Sequence, residues 1–275
     1  LNVSQERIKG KLIVSNPNYK NSDKNLDLSL EATSIDRIET SGYKSNISGF
    51  SIGTKFEYLD DLSFGLSTRN IIEKIDVDAS ASARQKKQDG NYFDSFIGLD
   101  FFYDKRNQKY QTTSGFFSGY NLSLPILSDT NTLTNLYDYK IFKELYENNV
   151  STLSFMFKSA NSLTGDDVKL SERLYIPGRK LRGFEAGKIG PKDGSDYIGG
   201  NYVSTINVTS TIPKILENVQ TVDIVMFADA ANIWGVDYNS SLDNEGIRSS
   251  VGVGLDWLTP VGPLTFSFAT PITKE

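Results

Sequence analysis

The sequence predicts an all-β protein, a transmembrane antiparallel β-barrel of about twelve strands. Three observations carry that expectation. Apolar and polar residues alternate with period two through most of the chain, which places successive side chains on opposite faces of a sheet. No run of about 18 apolar residues could cross a membrane as a helix, a fact that leaves strand crossing open. Hydrophobic residues make up only 38% of the 275, yet 16 Phe and 14 Tyr are present. Soluble globules are usually roughly 45–50% apolar, whereas a polar lumen with a narrow lipid-facing band needs fewer apolar residues and many aromatics.

The alternation is clearest in four places. In LDLSLEA, Leu26, Leu28, Leu30 and Ala32 share one face, and Asp27, Ser29 and Glu31 the other. FSIGTKFEY sets Phe50, Ile52, Thr54, Phe56 and Tyr58 against Ser51, Gly53, Lys55 and Glu57. VGVGLDWL opposes Val251, Val253, Leu255 and Trp257 to Gly252, Gly254 and Asp256, and PLTFSFA opposes Leu264, Phe266 and Phe268 to Thr265, Ser267 and Ala269. Strands are expected at 6–16, 24–38, 47–59, 61–78, 91–104, 114–127, 131–146, 150–163, 199–213, 219–233, 247–258 and 263–271. Most are long enough to cross a bilayer at a tilt, about 9–11 residues. Connections at Asp60-Asp61 and Thr259-Pro260-Val261-Gly262 are tight, whereas DASASARQKKQDGN and the region 164–198 are long. Short turns on one side and long loops on the other suit a membrane barrel. A β-sandwich alternates in the same way, but its strands usually run about 5–6 residues.

Composition removes several functions. With no His and no Cys, Ser-His-Asp and Cys-His catalysis, disulfides, and His- or thiolate-ligated metal sites are excluded. No enzyme motif, cofactor or metal is expected. A net charge of −5 argues against nucleic acid as a partner. PKDGSDY, from Pro191 to Tyr197, lacks the length and ligand spacing of a calcium loop and reads as a solvated loop. Gly252 and Gly254 open no helix, so they ease curvature or close packing rather than cradle a phosphate. Trp234 and Trp257, near strand ends, suit an interfacial aromatic girdle.

One stretch breaks the alternation: RKLRGFEAGKIGP, Arg179 to Pro191. An arginine inside a lumen must have its charge paired, because an unpaired buried charge is costly. Its planar guanidinium can take a carboxylate through two parallel hydrogen bonds. Gly183 allows a turn or close approach that a Cβ would block, and Phe184 offers a rigid apolar wedge against the wall. The stretch therefore reads as a plug-like tether with Arg182 as its latch.

Leu181-Arg182-Gly183-Phe184, with the GGNYV of Gly199–Val203, resembles the signature loop of the outer-membrane insertase superfamily of BamA, TamA and their organellar relatives, whose usual form is Val-Arg-Gly-Phe or Tyr. SNPNY, YDKRNQKYQTTSGFF, MFADAANIW and WLTPVGPLTFSFATPI resemble other family stretches in the same order along the chain, so the resemblance covers nearly all of it and is closest to the BamA branch. Thr112 stands where the family often has Pro.

The resemblance implies an acidic partner for the loop arginine on each of the two following strands. Asp229 fits the second. The first falls on Thr209, four residues before Pro213, which would offer a hydrogen bond without a charge; Asp223 is a further candidate.

The resemblance also implies a sixteen-stranded barrel preceded by POTRA modules. Residues 1–275 would then be a barrel domain lacking its first strands, its last strand and those modules, with a lumen-folding loop at about 164–198. The implied function is assembly and insertion of β-barrel proteins into the bacterial outer membrane, without catalysis. Unfolded outer-membrane clients, membrane lipids and accessory lipoproteins would be its partners. A polypeptide secretion pore of the two-partner type and a passive porin are the alternatives.

Overall fold

Alternation along each segment becomes pairing between neighbours. The computed structural model describes residues 2–4, 6–147, 149–212, 221–243, 246–259 and 262–273. A short strand, β1 (Asn2–Ser4), is followed by β2 (Arg7–Asn16), β3 (Asn25–Arg37), β4 (Tyr43–Leu59), β5 (Leu62–Val77), β6 (Gly90–Asp104), β7 (Gly115–Ser128), β8 (Thr132–Tyr146) and β9 (Asn149–Ser162). After a small hairpin of β10 (Lys192–Asp193) and β11 (Asp196–Tyr197) come β12 (Tyr202–Thr211), β13 (Val222–Trp234), β14 (Arg248–Thr259) and β15 (Gly262–Pro271). All but β10 and β11 form one 13-stranded antiparallel sheet in sequence order, with β9 beside β12. The twelve long strands match the expected spans to within a few residues. Pro213, Pro260 and Val261 lie outside the described residues.

Register sorts the two faces. Val14, Leu28 and Ile52 lie side by side across β2–β4, and Leu153, Val208, Ala228 and Val251 across β9, β12, β13 and β14. Leu12, Leu30, Phe50, Ile206, Val253, Phe266 and Phe268 are also exposed on this face. The opposite face carries Ser29, Ser51, Asn207, Asp229 and Ser250, all polar, and receives the loop between β9 and β12. Apolar-out and polar-in is the pattern of a membrane barrel wall. No helix among the described residues is long and apolar enough to span a membrane.

Connections 38–42, 78–89, 129–131, 163–201 and 235–243 emerge on one side of the sheet, and the tight 60–61 turn on the other. The loops on the first side bind one another. Gln85 Nε2 donates to the Ser41 carbonyl at 3.0 Å, Leu170 N to Gln88 Oε1 at 2.7 Å, and Val168 N to Asp237 Oδ2 at 2.6 Å. Part of the expected long connection is a helical turn at Ala83–Lys86, started by a capping box of Ser82 and Gln85. Strand β4 begins four residues before the expected 47, because Gly42, at φ +71°, ends a helical turn and delivers Tyr43 into a buried cluster with Ile75 and Leu170.

The face assignment has a direct consequence. Val253 lies outward between Met226 and Phe268, whereas Ser267 faces the lumen. In phospholipid vesicles, urea unfolding of Val253→Arg is expected to show a loss of about 2–4 kcal/mol, against little change for Ser267→Arg.

Candidate functional site

Residues 163–201 fold onto the polar face and are fastened there by charge. Arg182 donates from Nε to Asp229 Oδ2 and from Nη2 to Oδ1, both at 2.7 Å, and its backbone N–H reaches Oδ2 at 3.1 Å. Asn207 on β12 adds a fourth hydrogen bond to Asp229, at 2.8 Å, and with the same amide group donates to the Lys180 carbonyl at 2.8 Å. The Asp229 side chain is fully buried, so its charge depends on these donors. The Phe227 ring lies under the guanidinium, 3.4 Å from its carbon to the ring centroid. That ring has room because position 252 is glycine: a Cβ there would sit 2.5 Å from it and 2.2 Å from the Phe268 carbonyl. Gly183 has φ +88°, and a Cβ on it would press within 2.9 Å of Ala269 on β15.

A second anchor stands on the facing wall. The Lys169 side chain is buried and its ammonium meets Glu73 of β5 at 2.9 Å, Asp94 of β6, and Glu172 of its own loop at 3.8 Å. Thr130 donates to Asp94 at 3.0 Å, and Ser171 to Glu73 at 3.0 Å. Burial works against the Lys169 charge, but the three carboxylates outweigh it and raise its pKa above the ordinary lysine value. Three carboxylates around one cation leave two in excess. Burial pushes Glu172 up to about 7, with Lys169 opposing. Arg173 pairs with Asp237, and the Arg37 guanidinium lies 4.1 Å from the centre of the Tyr175 ring. The loop is therefore held from β3 round to β15.

Apolar packing fills the space between these anchors. Leu181 is buried with Met156, Ile176, Val203 and Ile233, and Phe184 packs against this cluster half-buried. Thr209 lines a cavity beside Arg182, but the hydrogen bonds of the guanidinium go to Asp229, and Asn207 is the β12 residue that meets that carboxylate. Asp223 lies six positions before Asp229 on β13, about 20 Å at a strand's rise, and so does not reach the arginine. Trp234 stacks on Tyr202 at 5.6 Å, whereas Trp257 pairs with Val222 at the other end of β13. The two tryptophans thus mark opposite rims. PKDGSDY is a tight hairpin with Asp196 buried rather than a solvated loop, because Gly194 at φ +64° makes the turn. No metal-ligating cluster occurs among the described residues. In the YDKRN stretch, Arg106 makes two 2.7 Å hydrogen bonds to Asp104 and Asn107 Oδ1 accepts from the Thr113 and Ser114 amides, closing the β6–β7 turn on itself.

Sequence reasoning missed Asn207 and Phe227, although each sits two positions from a residue it singled out and so shares its face. It also missed Lys169, whose partners lie far away in sequence.

The whole chain, residues 1–275, matches the Omp85 superfamily domain. The chain belongs to the Omp85 superfamily. Within it, the outer membrane protein assembly factor BamA of Neorickettsia risticii is 25% identical over 240 residues, covering 84% of this chain and 32% of that protein. BamA of Neisseria meningitidis serogroup B is 29% identical over 139 residues, covering 40% of this chain and 17% of that protein. The chain thus spans about a third or less of the curated relatives it matches. Among solved structures, Haemophilus ducreyi BamA lacking POTRA domains 1–3 superposes with a TM-score of 0.86 at 22% identity, covering 98% of this chain and 59% of that one. CdiB from Acinetobacter baumannii gives 0.57 at 10% identity, covering 97% and 53%. This Omp85 chain accordingly has the BamA barrel fold.

Two outcomes are expected from the anchors. Asp229→Ala leaves the Arg182 charge unpaired, and removing one partner of a buried pair costs about 3–5 kcal/mol. Hydrogen exchange across 179–190 should rise sharply, while amides of β5 and β6 keep their protection. For pH, the Glu172 carboxyl has a folded pKa of about 7 against an ordinary 4.5, so the folded state binds the extra proton. Stability is then highest below about 4.5, falls as pH rises towards 7, and levels off above. Glu172→Gln should raise the Tm relative to the parent at pH 8 and match it at pH 5; an equal difference at both pH values would contradict the assignment.

Proposed function

We propose that this chain is the barrel portion of an outer-membrane assembly factor, one that helps β-barrel proteins insert into the bacterial outer membrane. The observation that carries this reading is the loop. Residues 163–201 occupy the polar face of the sheet, fixed by Arg182–Asp229 on one wall and Lys169–Glu73–Asp94 on the other. A lumen held in this way keeps its wall in one shape but offers no free passage. An assembly factor needs the first property, and a pore needs a route that this loop obstructs.

The role for which the BamA relatives are named, outer membrane protein assembly, points the same way. The work requires no covalent step, cofactor or catalytic side chain. A strand edge pairs with an incoming client strand by β-augmentation, and the wall perturbs the bilayer around it. Unfolded outer-membrane proteins, membrane lipids and the accessory lipoproteins of an assembly complex are the implied partners, and the bacterial outer membrane is the implied location. In this reading Arg182 and Asp229 are positioning residues, and Trp234 and Trp257 seat the wall at its two interfaces. A secretion pore of the two-partner type would have to undock the loop to pass an extended chain, and the looser superposition on CdiB favours it less.

The test places the full-length parent protein in liposomes and follows folding of an unfolded barrel client by protease protection. Acceleration by the parent, reduced at least tenfold by Arg182→Ala while the variant barrel remains folded, is the expected result. A parent that gives no acceleration overturns the assembly reading.

A further inference from the structure

Beside the Arg182 anchor, a cavity of about 370 Å³ lies between the loop and β8, β9 and β12. Its charge is one-sided. Lys140, Arg179 and Lys180 line it with a single carboxylate, Asp138, which stands 3.9 Å from Lys140 and 3.7 Å from Lys180. Arg182 also borders the space, but Asp229 already matches it.

Arg179 makes no ion pair or hydrogen bond among the described residues, and neither does Lys158, which faces the lumen two positions from the lining Met156. Three lining cations besides Arg182 therefore face one carboxylate, with Lys158 opposite the lining Leu136, in a chain whose net charge is −5. Like charges gathered on a wall repel one another, and the compact arrangement is favoured when an anion sits among them. The hydroxyls of Ser154 and Thr209 line the same space with no hydrogen-bond partner among the described residues. Lysine point charges, an arginine fork and neutral hydroxyl donors are together the donor set of an oxyanion site.

We propose that this lumen cavity binds a phosphate-bearing ligand, held by Lys140, Arg179 and Lys180 with Ser154 and Thr209 donating their hydroxyls. Its volume exceeds that of one inorganic phosphate, so a pyrophosphate or a small phosphorylated group fits better. Because Arg179 and Lys180 come from the loop and Lys140 from the wall, the ligand bridges the two and adds to the docking at Arg182.

The experiment titrates pyrophosphate into the full-length protein in nanodiscs of zwitterionic lipid, by calorimetry. Saturable binding at one site is expected, weakening as salt is raised and at least tenfold weaker in Lys140→Gln/Arg179→Gln. Exposed Arg179 carries no bond to lose, so the single Arg179→Gln variant, with folding checked by heat-modifiable mobility, keeps the test valid if the double variant misfolds. A second arm adds a lipid bearing a phosphate monoester to the nanodisc. If a lipid headgroup is the source, this lipid competes with pyrophosphate in the parent; if a free solute is the source, pyrophosphate binding is unchanged. Either result keeps the site. No saturable binding, or binding that the folded variants leave unaltered, overturns it.

Discussion

The buried pair of Arg182 and Asp229 is the interaction on which the arrangement of the lumen depends. Asp229 projects from the middle of β13 into a space where water is displaced by the loop, and a carboxylate there without donors would be strongly disfavoured. Four hydrogen bonds meet it, three from Arg182 and one from Asn207. The loop cannot leave without exposing that debt of charge, and β12 and β13 cannot shift in register without separating Asn207 from Asp229. One contact thus couples a loop conformation to the pairing of two wall strands.

The sheet's alternation makes this contact possible. Asn207, Asp229 and Ser250 are opposite one another on adjacent strands, and Val208, Ala228 and Val251, one position along, face the other way. A slip of one residue would turn the carboxylate towards lipid. Local shape completes the site: Gly252 leaves room for Phe227, Phe227 supports the guanidinium, and Gly183 brings the loop backbone against Ala269. The Lys169 cluster fixes the opposite end of the loop to β5 and β6. Its surplus of carboxylates makes that end sensitive to pH, whereas the Arg182 end has matched charges.

Much of the wall was legible in the sequence, because each strand carries its own record of which face meets water or loop and which meets lipid. Leu28 and Leu30 against Asp27 and Ser29 need no tertiary knowledge to be read. Boundaries were less legible where another element decides them. Strand β12 begins at Tyr202 rather than 199, since Gly199 takes φ +70° and Gly200 bridges to Leu174 in the loop. In the site, Arg182 stood out because glycines and cations interrupt the alternation around it. Asn207 did not, because the resemblance directed attention to Thr209, two positions further along the same face. Lys169 left no local signature at all: its partners Glu73 and Asp94 come from strands far earlier in the chain, and only folding brings them together.

The most direct measurement is a double-mutant cycle on Arg182→Ala and Asp229→Ala, read by hydrogen exchange of the loop amides across 179–190. If the two side chains hold the loop through each other, removing the second after the first costs little, and the coupling energy approaches the cost of one substitution alone, about 3 kcal/mol or more. Additive losses from the two substitutions would mean that each residue acts through other contacts, and the loop's attachment to the wall would have to be sought elsewhere.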